Sequence, residues 1–95
     1  MSNPNDNAIV IAAAARTAIA GFQGVFQPLT AAQLGAAAIK AAVARSGIAS
    51  DEIAEVLMGC VLPAGQGQAP ARQASRGAGL PDHVPCSTVN KMCGS

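Results

Sequence analysis

Three short aliphatic runs alternate with two segments that carry helix start and stop signals, and this alternation leaves few folds open. Ala8–Ala15 is apolar throughout, with Ile9-Val10-Ile11 at its centre, and reads as a strand buried on both faces. Val56–Leu62, interrupted by Gly59, reads as a second strand, and Val84–Lys91 as a third. Between the first two, Thr30 opens a helix: its hydroxyl can cap, and Gln33 follows at capping-box spacing. Leu34, Ala37, Ala38, Ala41 and Ala42 then form an apolar stripe, with Lys40 and Arg45 nearer the other side. Gly47 ends that helix, predicted over Thr30–Ser46. Pro70 suits the first turn of a second helix, predicted over Pro70–Ala78 and closed by Gly79 and Pro81. Strand, helix, strand, helix, strand is the order of an α/β layered fold with a mixed, mainly parallel sheet covered by helices.

The remaining segments punctuate this pattern. Residues Met1–Asn7 are polar and rich in Asn, the composition of a disordered leader, so the folded part is predicted to be residues 8–95. Arg16–Pro28 holds two glycines, a proline and both phenylalanines, Phe22 and Phe26, which reads as a loop with apolar anchors. Pro63–Gln68 is a glycine-rich loop. With 95 residues the chain makes one small domain at most. Nothing after the third strand supplies a helix to cover it, so the sequence reads as part of a longer protein.

Composition then removes whole classes of function. Aromatics are 2% of residues, so no platform exists on which bases could stack. A formal charge of +1, without a basic stripe, argues against nucleic acid as a partner. The apolar runs are too short to cross a bilayer, and the polar leader lacks the positive region of a signal peptide, so a cytoplasmic, non-membrane protein is expected. The cysteines are Cys60, Cys86 and Cys93, an odd number without C-x-x-C spacing. A disulfide framework does not fit, and with His83 the one histidine, neither does a zinc site. No metal and no bound cofactor are expected.

The stretch most suggestive of chemistry is V-N-K-M-C-G-S, Val89–Ser95. A cysteine just after a strand, followed by Gly and Ser, suits a strand-to-helix turn, where free N–H groups and the helix dipole favour an anion. Gly94 leaves the sulfur open to a substrate, which suits a covalent acyl carrier, and the Cys93 N–H could face a developing oxyanion. From spacing alone, the competing reading is a small core residue.

Beyond its first few residues the chain resembles the thiolase family. The matching pieces are I-V-I-A-A-A-A-R-T, L-G-A-A-A-I-K, V-L-M-G-C-V-L, A-G-Q-G-Q-A-P-A-R-Q, the G-L-P before the third strand, and V-N-K-M-C-G-S. They occur in family order and at family spacing. The resemblance to ketoacyl synthases, which share that fold, is much weaker around the cysteine. The likeness implies an N-terminal part of a thiolase ending just after its nucleophile, which matches Cys93. It implies an acyl-CoA acyltransferase that takes an acyl group from a thioester onto Cys93. The acyl group then passes to CoA, or to the α-carbon of acetyl-CoA. Acetyl-CoA and acyl-CoA are the implied substrates, and a homodimer or homotetramer the implied assembly. The likeness to short-chain bacterial members favours acetyl-CoA acetyltransferase over a degradative 3-ketoacyl-CoA thiolase. The family's acid/base cysteine and its histidines come from later motifs, and Cys60, Cys86 and His83 match none of them. Residues 1–95 alone are therefore expected to be inactive. The alternative reading is a non-catalytic truncated product or a dimerisation piece.

Two departures stand out. The family usually has R-T-P-x-G where Arg16-Thr17-Ala18-Ile19-Ala20 stands, which should loosen that loop. It often has Asn at Ala69, so a helix cap worth about 1 kcal/mol is missing. The other polar residues have plainer readings. His83, after Asp82 and between two prolines, is expected to face solvent in a turn. A-G-Q-G-Q lacks the lysine of a phosphate-binding loop, and the resemblance implies that it lies near the subunit contact and helps frame the cysteine loop. Arg72 and Arg76 share a helix face at i, i+4, either a solvated or interface face or one that meets CoA phosphates. Cys60 and Cys86 are expected to be buried packing residues.

Overall fold

A computed structural model of the chain describes residues 4–95. Its regular elements are helix α1 (Ala31–Ser46), strand β1 (Val56–Gly59), helix α2 (Pro70–Gly77) and strand β2 (Cys86–Val89), with single 3-10 turns at Pro4–Asn7 and Ser50–Glu52. The α/β class read from the sequence is the one observed.

Both helices begin where local chemistry lets them. Thr30 Oγ1 accepts from the Gln33 N–H at 3.1 Å, and Gln33 Oε1 accepts from the Thr30 N–H at 2.8 Å, completing the capping box. At the other end Gly47 adopts φ 71°, the left-handed cap that a side chain would disfavour. Helix α2 starts on Pro70, whose missing N–H is not needed at a first position. Ala69 caps it in the left-handed region, φ 46°, without a side-chain bond. The vacant role is filled from the sheet: Thr88 Oγ1 on β2 accepts from the Ala71 N–H at 3.0 Å.

Strands β1 and β2 run parallel, paired Val56 with Cys86 through Gly59 with Val89. Helix α2 lies between them in the chain, so the three make one β-α-β unit, as parallel neighbours require. Val56, Leu80 and Val84 form the core, and Ile39, Val43, Ile53, Met58, Ala78 and Cys86 pack around it. The alanine-rich composition serves the α1–α2 contact. A Cβ on Gly77 would stand 3.0 Å from Ala36 Cβ, and one on Gly35 would stand 3.3 Å from Ala74 Cβ. Ala71 and Ala74 are buried there. Larger side chains would hold the helices apart and uncover the core.

The structure corrects several expectations. Ala8–Ala15 forms no strand; Ile9 is fully exposed and Ile11 90% exposed. A strand exists only through a hydrogen-bonded neighbour, and this segment pairs with neither β1 nor β2, although each keeps one open edge. One bond fastens it, from Arg45 Nη1 to the Ala14 carbonyl at 2.8 Å. The second and third strands are shorter than predicted. One further bond, from the Cys60 N–H to the Val89 carbonyl, extends the ladder before the chains part. The sheet is wholly parallel among the described residues rather than mixed. In the loop before α1, Phe22 is exposed and only Phe26 is half-buried, so one of the two expected anchors holds nothing. Of the leader expected at 1–7, residues 1–3 lie outside the described residues.

Candidate active site

Where β2 ends, the chain folds into two successive tight turns. The Gly94 N–H donates to the Lys91 carbonyl at 2.9 Å, and the Ser95 N–H to the Met92 carbonyl at 3.1 Å. Cys93 lies between these bonds, and its thiol is free and exposed. Met92 takes φ 51°, a left-handed conformation that costs a side-chain-bearing residue about 1–2 kcal/mol. Such strain persists only where neighbouring bonds over-determine it, and three side-chain bonds do so here. Asn90 Oδ1 accepts from the Met92 N–H at 3.0 Å, and Ser95 Oγ donates to the Met92 carbonyl at 2.7 Å. Ser95 Oγ also accepts from the Lys91 N–H at 2.9 Å.

This turn is seated on the exit of β1. Asn90 Nδ2 donates to the Val61 carbonyl at 3.2 Å. Beneath it, a Cβ built on Gly59 would come within 2.8 Å of Ser95 Cβ, closer than atoms can pack. Glycine is required there so that the end of the turn can lie on the strand. In the sequence Gly59 reads only as an interruption of the second strand; a lone glycine inside a strand pattern is the signal for such close approach.

The other candidate residues lie elsewhere and do other work. Cys60 is half-buried in a small cleft with Met58, Gln66 and Ala74, its sulfur 3.6 Å from Gln66 Nε2. Cys86 is half-buried against the core and donates to the Val84 carbonyl at 3.3 Å. Both are less enclosed than expected, half-buried rather than buried. His83 is exposed in a turn. The glycine-rich loop is tied to α2, where Gln73 Nε2 donates to the carbonyls of Gln66 at 2.8 Å and Gln68 at 2.7 Å. Gly65 and Gly67 take φ 76° and 79° to let those carbonyls converge.

Arg72 and Arg76 turn inward along the chain rather than only to solvent. Arg72 Nη1 donates to the Asp82 carbonyl at 2.8 Å, and Arg76 pairs with the Asp82 carboxylate at 3.1 Å. Their i, i+4 spacing sets both over the loop that leads into β2. The Arg76 pair is exposed and holds that loop in place more than it stabilises the fold. Among the described residues the Cys93 sulfur has no hydrogen-bonded base, so these atoms provide a placed, open thiol but not its activation.

Comparison with known proteins agrees with this frame. Residues 9–95 match the family described as thiolase, N-terminal domain. The chain is 60% identical over 89 residues to acetyl-CoA acetyltransferase B, mitochondrial, of Xenopus laevis, covering 94% of this chain and 21% of that protein. It is 54% identical to the acetyl-CoA acetyltransferase of Rhizobium meliloti, over 100% of this chain and 23% of the relative. The chain thus spans less than a quarter of these relatives. The crystal structure of the Acat5 thiolase from Ascaris suum in complex with coenzyme A superposes with a TM-score of 0.87 at 42% identity, over 90% of this chain and 22% of that one. A pattern match across nearly the whole chain, relatives of high identity and a shared backbone converge on one assignment: this chain belongs to the thiolase family, as its N-terminal domain sequence.

Proposed function

We propose that this chain supplies the nucleophile of an acetyl-CoA acetyltransferase, with Cys93 as the acyl carrier. The observation that carries the reading is the exposed thiol of Cys93 on a turn held by Asn90, Ser95 and Gly59. The Cys93 sulfur, as thiolate, attacks the carbonyl carbon of an acyl-CoA thioester. A new carbon–sulfur bond forms as the old one breaks, and CoA leaves with the proton that Cys93 gave up. The acyl group then passes back to a CoA thiol, or to the α-carbon of a second acetyl-CoA after that carbon has lost a proton. On this reading the base that removes these protons belongs to the family's later motifs, and among the described residues none is hydrogen-bonded to the Cys93 sulfur. Residues 1–95 by themselves are inactive on this reading, because a nucleophile without its partners loses several orders of magnitude in rate.

The substrate class follows the named relatives, which are acetyl-CoA acetyltransferases, and the solved thiolase that holds coenzyme A. A homodimer or homotetramer of the full-length enzyme belongs to the same reading. The test is direct. Full-length enzyme carrying these residues is incubated with acetyl-CoA, quenched and mapped by mass spectrometry. Acetyl on Cys93 is the expected result; acetyl on Cys60 or Cys86 with Cys93 untouched overturns it. Cys93→Ser should lower turnover at least about a thousandfold, since a hydroxyl at neutral pH is a far weaker nucleophile than a thiolate.

A further inference from the structure

Resting on that reading, we propose that Asn90 is a positioning residue for acyl transfer: its single amide spans from the segment just after β1 to the Cys93 turn and holds the strained turn in its reactive shape. The two ends of the side chain do different jobs. Nδ2 donates to the Val61 carbonyl at 3.2 Å, just past the last paired residue of β1. Oδ1 accepts from the Met92 N–H at 3.0 Å, directly before the cysteine. Met92 is the residue held at φ 51°, and released from its bonds it would relax toward the right-handed region. That relaxation would swing the Cys93 backbone, and with it both the sulfur and the N–H beside it.

Gly59 is the second half of the device. It lies on β1 opposite Val89, the residue before Asn90. With no side chain it leaves room for Ser95, whose hydroxyl bonds the Lys91 N–H at 2.9 Å and the Met92 carbonyl at 2.7 Å. Above, Asn90 ties the turn to Val61; below, Gly59 lets it settle on the strand. Strand β1 is thereby the template on which the nucleophile is placed, although it carries no reacting group. Reacting atoms must be placed to a fraction of an ångström for near-attack geometry, and a 1 Å displacement can cost roughly a hundredfold.

The experiment uses full-length enzyme and compares Asn90→Ser, Asn90→Ala and Gly59→Ala with wild type. A serine can still accept from the N–H two residues on, as an Asn does in a turn, but cannot reach Val61. Alanine loses both bonds. The readouts are the single-turnover rate of CoA release from acetyl-CoA, KM, and the melting temperature. The expected order of acylation rate is wild type, then Ser, then Ala, with Ala about a hundredfold down and KM changed by less than about threefold. Melting temperature should not follow that order. Gly59→Ala, if it folds, should match Asn90→Ala; the two Asn90 variants decide the matter if it does not. Rates for both Asn90 variants within about twofold of wild type overturn the proposal, and so does a loss that tracks melting temperature. Mapping the acetyl group in wild type separates the two ideas. Acetyl on Cys93 with unaffected variants removes the role of Asn90 alone, whereas acetyl on another cysteine removes the proposed function as well.

Discussion

Ile9 and Val84 are both aliphatic, yet Ile9 is fully exposed and Val84 has no exposed surface at all. The contrast extends to the regions around them. Residues 8–29 are rich in apolar side chains, but Ile19 and Phe22 are nearly as open as Ile9, and no regular element forms between the first 3-10 turn and α1. From Ile53 to Val89 the apolar side chains are no larger on average, and Leu57 and Leu62 stay open, yet Ile53, Val56, Met58, Leu80 and Val84 meet one another. Apolar content supplies the drive to bury surface, but the partner and the hydrogen-bonding edge decide whether an element exists.

The sharpest way to break this comparison is to empty the packed side. Leu80→Ala, in the middle of the core, should lower unfolding free energy by about 2–5 kcal/mol. Urea denaturation of the 95-residue chain checks this, and a loss under about 1 kcal/mol would mean the two regions are packed alike. A smaller effect of opposite sign is expected at Ala69. An Asn there would tolerate the left-handed backbone better than Ala, while Thr88 keeps its bond from the Ala71 N–H. Ala69→Asn should therefore add about 1 kcal/mol, read as a higher urea midpoint at unchanged slope. The smallest effect belongs to the open side: Ile9→Ser should move stability by less than about 0.5 kcal/mol in the same chain. A cost near that of Leu80→Ala would show that the segment packs in solution.

What is legible in the sequence follows the same division. The capping box Thr30–Gln33, the Gly47 stop and Pro70 at a first turn all act within a few residues, so the sequence displays each of them directly. The fate of Ala8–Ala15 is not displayed, because strand formation depends on an edge elsewhere in the chain. The i, i+4 spacing of Arg72 and Arg76 is visible, but not the loop they hold, since Asp82 reaches them only once α2 and the turn after it are folded. At the candidate site the motif draws attention to Cys93 and to the small residues beside it. The role of Asn90 stays hidden because one of its two partners, Val61, lies at the end of another strand.

The bond from the Ala71 N–H to Thr88 has a kinetic meaning. Helix α2 has eight residues, too few to persist alone in water, and its own N-cap side chain is a methyl group. The acceptor that replaces it arrives 17 residues after Ala71 in the chain. An element that looks local is thereby made to wait for a distant one. The start of α2 should gain protection against amide exchange together with β2, as one cooperative unit, while α1, with its complete capping box, can form turns earlier. A chain emerging from its N-terminus would carry α2 as an unfinished helix until Thr88 has been made and has closed onto it.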